Sequence, residues 1–149
     1  MERIYLDTSV FGGYFEPEFE IWSKILIDRI KTGQYRLLLS FVIDLELTRA
    51  PQFVKELALS IPEENIEFLE TTHEATELAD TYIKENVVGE TCRADCLHIA
   101  LATLNNADIL VSWNFKHIVN VNRIRGYNSV NYRYGHKMLE IRTPREIVE

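Results

Sequence analysis

Short apolar runs recur along this chain, each too brief for a helix and each followed by a segment with helical spacing. Residues 3–6, 36–39, 66–69 and 109–112 read as buried strands. A last strand is expected at residues 136–141, with Met138 and Leu139 at its centre. Residues 17–32 read as a helix, with Phe19, Trp22, Ile25, Leu26 and Ile30 on one face and Gly33 ending it. Ser40 is placed to cap the helix that carries Glu46, and Pro51 to open the next helical piece. Residues 72–87 carry the strongest helical pattern, and residues 91–105 form another helix after the Gly89 break. A short helix is expected after residues 113–117, and residues 143–146 read as tail. Strands this short and apolar, alternating with helices, require a mainly parallel sheet covered on both faces. The expected fold is a single three-layer α/β/α domain over residues 1–149, with a mainly parallel central sheet of four to five strands.

Composition narrows the class. The chain has 149 residues, 46% hydrophobic and 26% charged, which is ordinary for a soluble globular domain. No apolar stretch approaches the roughly 20 residues that cross a bilayer, and the N-terminus lacks a secretory pattern. Cys92 and Cys96 are the only cysteines, and at helical spacing they form a poor disulfide pair. Read as reduced thiols, they imply a cytoplasmic protein. Zinc on this pair with His98 lacks an evident fourth ligand. The net charge of −7 is unevenly spread: residues 1–90 hold 18 acids and 8 bases, residues 91–149 hold 5 acids and 8 bases. An acidic whole argues against a general nucleic-acid binder, whereas the basic final third allows local phosphate contacts or is plain solvated surface. Lys116, Arg123 and Arg125 are the best candidates for contacts to RNA phosphates.

Three acids sit in apolar settings. Asp7 ends the first buried run, Glu46 lies within Phe41-Val42-Ile43-Asp44-Leu45-Glu46-Leu47, and Asp95 lies within Ala94-Asp95-Cys96-Leu97-His98-Ile99. In a parallel sheet every strand exits at one edge, so residues far apart in sequence can converge there. Two like charges about 5 Å apart repel by roughly 3 kcal/mol at an effective dielectric of 20. A cluster of carboxylates without basic partners therefore calls for a cation, and hard oxygen ligands select Mg2+ or Mn2+. Plainer roles stand beside this one. Asp7 can start a turn, Asp95 can favour a helix N-terminus with Thr91 as a rival cap, and Asp44 competes with Glu46 for the site. Asp108 reads as a loop residue, and His98 and His117 as structural histidines.

In these three segments and in a fourth, Ile109-Leu110-Val111-Ser112-Trp113-Asn114, the chain resembles the PIN domains, and within them the VapC-like toxins of toxin–antitoxin pairs. Ile4-Tyr5-Leu6-Asp7-Thr8-Ser9 is similar to the family's strand-then-Asp opening. Ser40 through Glu46-Leu47 resembles the segment of the second acid, and Ala94-Asp95 with His98-Ile99-Ala100 that of the third. Ile109-Leu110-Val111-Ser112-Trp113-Asn114 resembles the fourth, where Asn114 stands in place of a frequent Asp. The resemblance implies a metal-dependent endoribonuclease (a hydrolase). Asp7 and Asp95 would be ligands, Glu46 a ligand or base, and Ser9, Ser112 and Asn114 supporting or substrate-side groups. It further implies an RNA substrate, a small antitoxin protein as partner, and a homodimer. Asn114 weakens the case for a second ion and leaves room for a non-catalytic interaction module. A haloacid dehalogenase-type phosphatase also begins with strand-Asp, but its second Asp is here Ser9 and no later metal motif follows.

Overall fold

Five strands, β1 (Glu2–Leu6), β2 (Tyr35–Ser40), β3 (Ile66–Leu69), β4 (Ile109–Val111) and β5 (Glu140–Arg142), form one sheet in the computed structural model, which describes residues 1–149. Every pairing is parallel and the order is β3-β2-β1-β4-β5. The helices are α1 (Thr8–Gly13), α2 (Glu20–Lys31), α3 (Phe41–Thr48), α4 (Gln52–Leu59), α5 (His73–Lys84), α6 (Arg93–Leu104), α7 (Val121–Arg133) and α8 (Pro144–Val148). Packing divides many of them into two groups, α1 and α2 with α8, and α5 and α6 with α7. The result is a single α/β domain with helices flanking an all-parallel sheet.

Apolar sequence explains why β1 is central. Ile4, Tyr5 and Leu6 are wholly buried, as a strand covered on both faces must be. Helix α6 is buried around most of its girth, from Cys96 and His98 to Thr103, and its three alanines allow neighbours to approach closely. From β1 the chain builds outward through β2 to β3, then returns across the sheet to place β4 on the other flank of β1. This reversal makes the carboxyl ends of β1 and β4 the topological switch point, where such sheets bind ligands.

Several boundaries differ from expectation. The Asp7–Gly13 stretch, read as a turn, is the first helix, α1. Helix α2 begins at Glu20, and its buried stripe is Ser23, Leu26, Ile27 and Ile30, with Ile25 exposed. The last strand is only Glu140–Arg142; Leu139 is buried ahead of it and Met138 is exposed. The short helix after His117 is the thirteen-residue α7, capped by Asn120. The tail is α8, closed by a capping box between Thr143 and Glu146. Each missed helix is short or polar, so apolar periodicity gave little signal.

Candidate active site

Asp7 leaves β1 as the N-cap of α1, with its backbone N–H donating to the Val111 carbonyl at 3.1 Å. This bond ties the end of β1 to the end of β4. The side chain is 5% exposed and accepts a 2.5 Å bond from the Ser9 hydroxyl. Burial drives its pKa up to about 6; attraction from His98 and bonds from Ser9 and Ser112 pull it back, and Asp95 pushes it further up.

The loop after β4 is built around two serines. Trp113 N donates to Ser9 Oγ and Asn114 N to Ser112 Oγ, each at 2.9 Å. Trp113 is held in turn by its indole N–H on Ser23 Oγ at 2.8 Å. Gly13 makes room for that indole, because a Cβ there would lie 2.7 Å from the ring. Glycine at the end of α1 thus lets the Trp113 indole pack there, and Trp113 in turn bonds Ser9, the hydroxyl that holds Asp7.

Asp95 is the third residue of α6, which starts at Arg93 after a 3-10 turn over Glu90–Cys92. Neither Asp95 nor Thr91 is the cap; Cys92 occupies that position. The Asp95 side chain instead accepts a long 3.4 Å bond from Asn114 Nδ2. Burial raises its pKa, His98 and His117 oppose this, and Glu46 adds to it. The Asn114 carbonyl oxygen is engaged at 2.9 Å by His117 N–H, so its amide points toward the carboxylate. No Lys or Arg is ion-paired with Asp7 or Asp95.

Glu46 differs from the expectation of an acid without a basic partner. Its Oε1 accepts from Thr8 Oγ1 and from His98 Nε2, both at 2.6 Å. Both bonds fall on one oxygen, so Oε2 is left without a protein donor. Burial raises the Glu46 pKa, but His98 and Thr8 outweigh it and hold the group below the usual range. A carboxylate only accepts, so Nε2 carries the proton. In a neutral ring Nδ1 then accepts from the Tyr5 hydroxyl at 2.6 Å, and Tyr5 accepts from Ser40 at 2.7 Å. Ser40 heads α3 as expected but spends its hydroxyl on Tyr5 rather than on a cap. His98 is thus the residue that sequence reasoning undervalued: fully buried, it links β1, β2 and α6 to Glu46. Asp44 is exposed and lines a separate groove with Leu47 and Lys55.

Hydrogen bonds thus link Asp7 with Ser9 and Ser112, and Asn114 with Ser112 and Asp95, at the ends of β1 and β4, and Glu46 with His98 lies beside them. Lys116 and Arg125 are exposed, whereas Arg123 donates to the Val87 carbonyl. As the side chains stand, no three His, Cys, Asp or Glu residues close on a common point. Cys92 and Cys96 are free and buried. Burial pushes the Cys96 thiol up to about 12, away from the thiolate that zinc requires.

A family model, the PIN domain, matches residues 4–117, a span that runs from β1 through the loop carrying Asn114. The chain belongs to the PIN domain family. No curated protein matches it. Among solved structures, this PIN domain is similar to VapBC2 from Rickettsia felis bound to a DNA fragment from its promoter. The TM-score is 0.55 at 13% identity, covering 95% of this chain and 98% of that one. DNA-bound VapBC from Salmonella typhimurium gives a TM-score of 0.56 at 14% identity, covering 97% and 99%. At such identity the likeness concerns fold, and it covers more of the chain than the family match does. No helix of the PIN domain is long and apolar enough to cross a membrane.

Proposed function

We propose that this PIN domain is a metal-dependent endoribonuclease, the toxin of a toxin–antitoxin pair. The observation that carries the reading is the pairing of two acids, Asp7 and Asp95, which burial drives toward protonation and which no Lys or Arg neutralises. Carboxylates in such a place are normally compensated by a cation. The donors are hard oxygens, so Mg2+ or Mn2+ fits them, with Asp7 and Asp95 as the residues that would hold it. Such an ion lowers the pKa of a bound water and offsets charge on a phosphodiester.

The chain's own groups divide the remaining work. Ser9 fixes the Asp7 carboxylate, and Asn114 orients that of Asp95. Glu46 has one oxygen anchored by Thr8 and His98, and the other, without a protein donor, would align a water and receive its proton as a base. Its depressed pKa keeps it ionised at neutral pH. Lys116 and Arg125, exposed residues that follow the Ser112–Asn114 loop in the chain, would contact RNA phosphates, with Arg123 a lesser contributor. An antitoxin partner belongs to the same reading, supported by the fold shared with the two VapBC structures; a homodimer and a cytoplasmic setting are proposed alongside it.

Asn114 favours a second reading, in which the fold is retained as a binding module without catalysis. Incubating the purified protein with labelled single-stranded RNA or DNA, in Mn2+, Mg2+ or EDTA, separates the two. RNA cleavage dependent on metal and abolished by Asp7→Asn supports the nuclease; intact RNA under every condition supports the module.

A further inference from the structure

Glu46 also lines a cleft that Asp7 and Asp95 do not border. Between α3 and the start of α6 lies a cleft of about 590 Å³, with Glu46 at one side. Val42, Leu45 and Leu97 supply apolar walls, and Arg49 and Arg93 supply the only charges other than Glu46. Arg49 is exposed and makes no ion pair, although it belongs to the acidic first 90 residues. Arg93 is exposed and pairs with Asp80. Exposed pairs of this kind hold weakly and are readily exchanged for another anion. The cleft also abuts the first turn of α6, where the helix dipole favours negative charge.

We infer that the Arg49–Arg93 cleft is a phosphate subsite for the single-stranded RNA chain whose neighbouring phosphodiester is cut beside Asp7. The inference rests on the nuclease reading and adds to it the path of the strand. Guanidinium groups suit phosphate oxygens, whose fork geometry they match, and apolar walls suit the face of a base. Glu46 would repel a phosphate placed directly on it, so the anion settles toward the arginines, and the reacting group lies on the opposite side of the carboxylate. The strand then runs from the carboxyl ends of β1 and β4 across Glu46 into the α3–α6 cleft. This subsite is distinct from the Lys116 and Arg125 surface that follows β4.

The test measures binding of a short fluorescein-labelled single-stranded RNA in EDTA across a salt series, alongside cleavage in Mn2+. Arg49→Gln with Arg93→Gln should weaken affinity about tenfold and flatten the slope of log K against log salt by about 1.4, roughly 0.7 per lost phosphate contact. Each single variant should remove about half of that slope, and the loss in cleavage should fall on KM. Asp80→Asn, which frees Arg93, should tighten binding; looser or unchanged binding there counts against the subsite. If the wild-type protein cleaves RNA but the double variant keeps its affinity and salt slope, the cleft is not a subsite and the nuclease reading stands. If the wild-type protein neither binds nor cleaves RNA, both fall together.

Discussion

His98 Nε2 lies 2.6 Å from Glu46 Oε1, and His98 itself is 1% exposed. A half-buried acid is thereby fixed by a fully buried ring, whose other nitrogen is fixed by Tyr5. Replacing His98 by Ala leaves a cavity, a stranded Tyr5 hydroxyl and an unanchored Glu46. The expected loss is about 2–4 kcal/mol, read as a lower urea midpoint at unchanged slope. Thr8→Val removes only one of the two bonds to Oε1 and should cost about 1 kcal/mol. Equal midpoints for the two variants would mean that the ring does not anchor Glu46.

The Asp7 carboxyl predicts how stability depends on pH. Its pKa rises on folding from 3.8 to about 6. Below pH 4 both states are protonated, so the group costs nothing. Between pH 4 and 6 the unfolded chain releases its proton first, so stability falls as pH rises, by at most about 3 kcal/mol. Asp95, also raised, acts in the same direction. Glu46 acts oppositely: its pKa is depressed on folding, so its stabilisation holds above the unfolded value and is lost as pH falls. In EDTA, Asp7→Asn should therefore be more stable than wild type at pH 7 and show a flatter profile between pH 4 and 6. Denaturant melts at several pH values measure this; a less stable Asn variant at pH 7 would contradict it.

Asn114→Asp should move stability and metal affinity in opposite directions. The Asn114 amide donates to Asp95 at 3.4 Å, and an acid there would face that carboxylate instead. Without metal the variant should lose about 1–2 kcal/mol; with Mn2+ it should bind more tightly. Calorimetric titration of both proteins checks this, and identical affinity and stoichiometry would count against the placement of Asn114.

Gly13→Ala tests the support beneath the β4 loop. Alanine gains up to about 1 kcal/mol in helix propensity, but overpacking against a filled site costs about 1–3 kcal/mol. With a Cβ only 2.7 Å from the Trp113 ring, the second effect should win. A lower melting temperature is expected, with a shift in tryptophan fluorescence.

Much of this arrangement was legible in the residues. Buried runs such as Ile4-Tyr5-Leu6 mark strands because both faces are covered, and strands separated by helices must be parallel. Asp7 and Asp95 were visible as acids in apolar company. The role of His98 was not, because a histidine on a buried helix face looks the same whether it meets a carboxylate or a carbonyl. Arg49 was equally hidden, since one arginine in an acidic stretch has no local pattern. Helices α1 and α8 escaped because Thr8–Gly13 ends in two glycines and Pro144–Val148 spans barely one turn.

The central claim is that Asp7 and Asp95 hold a divalent cation in the folded protein. Thermal unfolding of wild type, Asp7→Asn and Asp95→Asn, recorded with and without Mn2+, tests it most directly. An ion that binds only the folded state stabilises it by about 2.7 kcal/mol at a hundred times its Kd. The wild-type melting temperature should therefore climb with Mn2+, and each Asn variant should lose most of that increment. A wild-type melting temperature unmoved by millimolar Mn2+, or an equal rise in all three proteins, would contradict the account.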